Sequence, residues 1–319
     1  MRPKIYLFGD SITEDSFSEG GWGASLANHF CRTVDVVLRG YSGYNTRWVL
    51  KVLDKVFPAT QVGDGGIDGA PIAVTVFFGA NDASLPDRYS AFQHVPLDEF
   101  KQNLHSIVSF IKNLSIGEVI GRKQWPTTVV LLITPPPIDE DGRIKHPYAE
   151  NPEGLPERTN EAAGEYARAC ITVAGECAIP VIDLWTKMQQ RPGWQKDYLW
   201  YQKLLICYLI FTDIILAQEF LSKVAFRRYK IIPRSLIDLH ARCGKDEKMR
   251  VEFCNKLGNM VMDGLHLTRS GNQVVFEEVV KKLKDEGLSL ESIPIDLPPI
   301  ADIDHNDPLK AFQLKAFQL

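Results

Sequence analysis

The sequence lacks the patterns that announce a bound metal, nucleotide or nucleic acid. It holds no HExxH, Walker A or GxGxxG run, so no metal, ATP or dinucleotide cofactor is expected. Basic charge is not in excess: 36 Lys and Arg stand against 40 Asp and Glu, a net charge of −4 that leaves no footprint for nucleic acid. Cysteine is sparse and without a binding pattern. Cys31, Cys170, Cys177, Cys207, Cys243 and Cys254 show neither CxxC nor zinc-type spacing and read as free thiols in a reducing compartment. No leader precedes the apolar run that opens at Ile5, and a cytoplasmic chain is expected. Long apolar runs are missing too. The nearest to a membrane span is residues 204–221, and Asp213 and Glu219 interrupt it. A charged side chain at mid-bilayer costs ~2.5–3.5 kcal/mol on insertion scales, so no span is expected.

What is present is a globular composition, 45% hydrophobic and 24% charged over 319 residues, enough for one large core with or without an appendage. Apolar, β-branched runs recur: KIYLFG, VDVVLRG, PIAVTVFFG, TTVVLLITP and, later, PVIDLW. Helical stretches lie between them. One of these carries Leu97, Phe100, Leu104, Ile107, Val108, Ile111 and Leu114 at three- and four-residue spacing, a single apolar stripe. Strands that are apolar on both sides, alternating with helices, belong to a parallel sheet covered on both faces. The expectation is an α/β fold, a three-layer α/β/α sandwich whose ligands bind at the carboxyl ends of the strands.

Short polar sequences follow those strands: GDSIT, GYSGYN, GAND and TPPP. Ser11 puts a hydroxyl at the first strand-to-helix junction, beside helix N–H groups that can meet a developing negative charge. Gly43 offers a backbone N–H that no Cβ shields, and Asn81 a side-chain amide. Together they make an acyl-transfer site if a base is at hand. Of the seven histidines, only His266, in DGLHLTRSGN, both lies in a short Gly-containing loop before a helix and has a carboxylate three residues earlier, Asp263, able to hold the imidazole in one tautomer. Plainer readings stand beside these. GDS can be a helix cap, DGLH an Asp-Gly turn, Asp82 a turn or cap carboxylate, Asp10 a structural acid, and His94, His105 and His146 surface or core histidines. Ser42 in GYSGY fails the GxSxG spacing of a nucleophile elbow.

GDS at 9–11, Gly43, GxND at 79–82 and DxxH at 263–266 occur in order and resemble the four blocks of the GDSL, or SGNH, hydrolases. FGDSITE, GYSGYNTRW, FFGANDA, TPPP and DGLHLT are most similar to the isoamyl acetate-hydrolysing esterase group, plant members included. The resemblance spans residues 4–199 and 263–295. It implies a five-stranded parallel sheet in flavodoxin-like order and a cofactor-free serine esterase acting on small ester substrates, short acetyl-type esters above all. It implies Ser11 as nucleophile, His266 as general base and then acid, and Asp263 as its orienter. The oxyanion hole it implies is the N–H of Ser11, the N–H of Gly43 and the amide of Asn81. A phospholipid or carbohydrate deacetylase would use the same chemistry.

Residues 200–262 depart from that family pattern. They hold 11 Lys and Arg against 6 Asp and Glu, whereas the rest of the chain holds 25 against 34. The segment reads as an insert foreign to the domain, such as translated intron sequence, that either loops out or displaces the Asp263–His266 turn. In the second case the chain is a catalytically silent α/β protein that binds a small ligand; a membrane-associated protein anchored by 204–221 is the third reading. The tail 296–319, acidic, Pro-rich and ending in KAFQLKAFQL, is expected to lack fixed structure.

Overall fold

A computed structural model describes residues 2–57, 71–114, 128–147, 150–199, 263–303 and 306–307. The chain divides into two compact units, Met1–Leu199 with Asp263–Leu319, and Trp200–Met262. The second unit, with the apolar stretch 204–221 inside it, lies outside the described residues.

The first unit carries five strands, β1 (Lys4–Gly9), β2 (Asp35–Gly40), β3 (Ala73–Phe77), β4 (Val129–Ile133) and β5 (Val181–Ile182). All pair in parallel, in the order β2-β1-β3-β4-β5, the flavodoxin-like order. The apolar runs supply both faces of the sheet because successive side chains point opposite ways. Ile5, Leu7, Phe77, Leu131 and Ile133 enter one core, while Phe8, Val74, Val76, Val130 and Leu132 enter the other. β5 is shorter than PVIDLW suggests. Asp183 leaves the sheet at once, its carboxylate accepting from Thr186 N–H (3.1 Å) to cap the next helix.

The described helices are α1 (Ser11–Glu14), α2 (Trp22–His29), α3 (Thr46–Val49), α4 (Leu53–Val56), α5 (Leu97–Leu114), α6 (Glu140–Lys145), α7 (Asn160–Glu176), α8 (Leu184–Gln189), α9 (Trp194–Tyr198) and α10 (Arg269–Asp285). Trp22 and Leu26 of α2 and Val275, Val279 and Leu283 of α10 cover the first face. The second is covered by α5, through Phe100, Leu104, Ile107, Val108 and Ile111, and by Tyr166, Cys170 and Val173 of α7. These two cores make three layers. No helix among the described residues is long and apolar enough to cross a membrane. Residues 296–303, expected without fixed structure, are held at their start: Asp296 accepts from Arg2 Nε (2.7 Å) and its N–H donates to the Arg32 carbonyl (2.9 Å).

Register brings the strand ends level. Gly9, the last residue of β1, lies opposite Gly40 of β2 and Phe77 of β3. The segments 10–11, 41–45 and 78–82 therefore leave the sheet side by side.

Candidate active site

At the exit of β1, Asp10 caps α1 by accepting from Ile12 N–H at 3.0 Å, which makes Ser11 the first helical residue. No acceptor among the described residues takes the Ser11 N–H. Asp10 itself is buried and its second oxygen has no partner among them. Burial pushes its carboxyl up to about 7, against the pull of the Ile12 N–H and the charge of His266.

The segment after β2 is tied down along its length. Tyr41 N–H donates to the Gly9 carbonyl (2.8 Å) and Ser42 N–H to Glu14 Oε2 (2.7 Å). Gly43 has φ +78°, a left-handed conformation that favours glycine. This turn, rather than crowding, is the demand on position 43, since an added Cβ would meet only Gln93 Nε2 at 3.5 Å. No acceptor among the described residues takes the Gly43 N–H. Asn45 then caps α3 through Trp48 N–H (2.9 Å).

The segment after β3 grips the one after β2. Asn81 Nδ2 donates one hydrogen to the Tyr44 carbonyl at 2.9 Å, which leaves its second hydrogen available. Asp82 is no exposed turn residue. It is fully buried and accepts from both the N–H (3.0 Å) and the hydroxyl (2.5 Å) of Thr46 at the start of α3. Burial raises its carboxyl to about 6 despite those bonds.

Asp263 and His266 form a compact turn before α10. Asp263 Oδ1 accepts from the N–H groups of Leu265 (3.0 Å) and His266 (2.9 Å), while Oδ2 bonds His266 Nδ1. On the far side of the ring, His266 Nε2 lies 2.8 Å from Ser11 Oγ. Burial alone would raise the Asp263 carboxyl. The hydrogen bond and charge of His266, with the charge of Arg143, outweigh it and hold the carboxyl far below the usual range. Asp263 is therefore ionised and can only accept, so Nδ1 carries a hydrogen and the neutral ring has its lone pair at Nε2, facing the serine hydroxyl. Burial also acts to lower the His266 pKa, but Asp263, then Asp15 and Asp10, raise it on balance.

The turn depends on Gly264. Its φ is +68°, a Cβ there would stand 2.2 Å from the Asp139 carbonyl oxygen, and its own carbonyl accepts from Asp139 N–H at 2.9 Å. Gly264→Ala is expected to lower stability by ~1–3 kcal/mol and turnover by ~10²-fold, because a shift of about 1 Å in the Asp-His pair is enough. Thermal unfolding and ester turnover, measured on one preparation, check both.

The structure thus brings Ser11, Asp263 and His266 into one hydrogen-bonded series, and Gly43 and Asn81 onto adjoining loops. It does not bring His94, His105 or His146 there. His94 Nδ1 meets the Ser84 carbonyl (2.6 Å), His105 sits between Glu176 (2.7 Å) and Cys177 (3.2 Å), and His146 caps α6. A cleft between α8 and α10, edged by Lys187 and Glu278, is also away from this series. Four further residues attach to the site without having been singled out in the sequence: Gln93, Arg143, Glu157 and Arg158. Among the described residues no group of three or more His, Cys, Asp or Glu is arranged to hold a metal.

A parallel sheet of this order, with serine, histidine and aspartate in series at its carboxyl edge, is the architecture of an ester hydrolase. The chain belongs to the GDSL-like lipase/acylhydrolase family, whose sequence model matches residues 5–279. A GDSL esterase/lipase of Arabidopsis thaliana is 52% identical over 312 residues, 98% of each chain. The isoamyl acetate-hydrolyzing esterase 1 homolog of Bos taurus is 44% identical over 188 residues, 59% of this chain and 69% of that one. The crystal structure of a lipase/acylhydrolase from Enterococcus faecalis, at 21% identity, matches with a TM-score of 0.52 over 93% of this chain and 100% of that one, a likeness of fold. The chain is a carboxylic ester hydrolase.

Proposed function

We propose that the chain hydrolyses short-chain carboxylic esters, acetyl esters above all, through an acyl-enzyme on Ser11. The observation that carries this is the 2.8 Å approach of His266 Nε2 to Ser11 Oγ with the Asp263 carboxylate behind the ring. Ser11 Oγ attacks the ester carbonyl carbon as its proton passes to Nε2. The carbonyl oxygen becomes an oxyanion that takes hydrogen bonds from Ser11 N–H, Gly43 N–H and Asn81 Nδ2. His266 then hands its proton to the departing alkoxide, which leaves as the alcohol. Water, deprotonated by the same nitrogen, attacks the acyl-enzyme; the carboxylic acid departs and Ser11 regains its proton. No cofactor takes part in these steps.

The preference for short acyl groups is supported by the likeness to the Bos taurus relative, which carries the name of an isoamyl acetate-hydrolyzing esterase 1 homolog and is 44% identical over 188 residues. The position of His266 against Ser11 favours a working hydrolase over a silent binding protein, since a displaced turn would break that contact.

A fluorophosphonate tests the reading. One adduct is expected per chain, on the peptide that holds Ser11, with p-nitrophenyl acetate turned over faster than the octanoate. The neutral imidazole is the form that accepts the serine proton. Because Asp263 raises the His266 pKa, labelling should accelerate as pH rises through a value above the ordinary ~6.5. An adduct on another residue, or none, would overturn the reading.

A further inference from the structure

The stretch from Arg143 to Asn160, RIKHPYAENPEGLPERTN, has the composition of a solvated loop. Three of its charges are buried all the same: Arg143 and Arg158 are 3% exposed and Glu157 is 0% exposed. Ions taken out of water must be paired and hydrogen-bonded. Here one carboxylate oxygen serves two guanidiniums. Glu157 Oε1 accepts from Arg143 Nε (2.8 Å) and Nη2, and from Arg158 Nη1 (2.5 Å).

The other N–H groups of the two arginines reach different parts of the site. Arg143 Nη1 donates to the Asp263 carbonyl at 2.8 Å and lies 3.4 Å from its Oδ2. Arg158 Nε donates to the Ala80 carbonyl (2.8 Å), and Nη2 to Asn81 Oδ1 (3.0 Å) and Gln93 Oε1 (2.7 Å). Gln93 Nε2 in turn donates to the Gly43 carbonyl (3.0 Å) and to Asn81 Oδ1 (3.2 Å). A run of hydrogen bonds therefore leads from Asp263 to Gly43 without passing through Ser11 or His266.

This run decides which way the Asn81 amide faces. A guanidinium has donors and no acceptor, so only the oxygen end of the amide can lie against Arg158. Gln93 Nε2 claims the same oxygen. The NH2 end is left on the other side, where one hydrogen goes to Tyr44 and the second is available to the substrate. Stability gives no reason for such a set, because apolar residues of similar volume commonly replace a buried ionic triad without loss. Directional forks do give one, since a catalytic donor must be held to a fraction of an ångström.

We propose that Arg143, Glu157 and Arg158 form a buried ionic brace that fixes the Asp263–His266 turn and the Asn81 amide in one frame, making them positioning residues for hydrolysis. The proposal rests on the roles assigned to Ser11, His266 and Asn81. The test compares the full-length protein with Arg158→Lys and Gln93→Met on p-nitrophenyl acetate. An ammonium keeps the charge beside Glu157 but cannot reach all four of the acceptors that Arg158 serves. Arg158→Lys should lower kcat by ~10–100-fold with KM nearly unchanged. Gln93→Met, which leaves the three charges paired, should lower kcat by ~10-fold with KM likewise held. Loss of Tm with kcat of the folded fraction unchanged would mean a merely structural role and would overturn the proposal. If Arg158→Lys does not fold, Gln93→Met decides. NMR of the Asn81 side-chain amide needs no turnover: its two Nδ2–H resonances should shift in either variant, and unmoved resonances would overturn the brace. Should Ser11→Ala keep wild-type turnover, the hydrolytic reading fails separately, and the NMR arm still answers for Asn81.

Discussion

Ser11→Ala is expected to lower kcat for p-nitrophenyl acetate by ~10⁴-fold or more, with thermal unfolding little changed. The variant removes the Oγ that lies 2.8 Å from His266 Nε2. The cap of α1 is left in place, because Asp10 and not Ser11 holds Ile12 N–H. Fold and reaction thus separate cleanly at this position. His266→Ala should cost a similar factor, and the double variant hardly more than either, since nucleophile and base act as one unit. Kinetics on protein counted by a fluorophosphonate titration of the wild type checks this. Retention of more than about one part in a hundred of wild-type turnover by Ser11→Ala would require another nucleophile.

Asn81→Ala is the second large effect. Loss of one oxyanion donor costs ~10²–10³-fold in kcat, and KM should move little because the donor meets charge that develops only in the transition state. The same substitution leaves Arg158 Nη2 and Gln93 Nε2 without their shared acceptor. A loss of ~1–3 kcal/mol in stability is expected with it. Steady-state kinetics beside denaturant unfolding separates the two effects; a raised KM at unchanged kcat would instead place Asn81 in ground-state binding.

Much of the architecture could be read from the chain because a strand buried on both faces has to be apolar throughout, as KIYLFG and TTVVLLITP are. The end of β5 was less legible, since Asp183 is polar within an apolar run and its capping of α8 depends on where the fold places the Thr186 N–H. Ser11, Gly43, Asn81 and His266 stood out because each is polar or glycine at the end of a strand or in a short turn. Arg143, Glu157 and Arg158 did not. Charged residues among Pro, Gly, Asn and Glu look like those of any wet loop, and burial becomes visible only when Asp263, from the far end of the chain, arrives to meet them. Gln93 was hidden for a related reason, as its partners Gly43 and Asn81 lie 50 and 12 residues away.

Ser11 and His266 meet across 255 residues of sequence, and Trp22 N–H is bound by Asn272 across 250. During synthesis the serine emerges 255 residues ahead of the histidine that faces it. At a translation rate of about 5–20 residues per second that interval is on the order of 10–50 seconds. On the proposed mechanism a ribosome-bound chain that has closed the sheet as far as β5 stays unreactive toward esters until His266 reaches Ser11. Chemical competence on the proposed mechanism therefore follows the sheet, and a chain cut before Asp263 would hold all five strands without the proposed base.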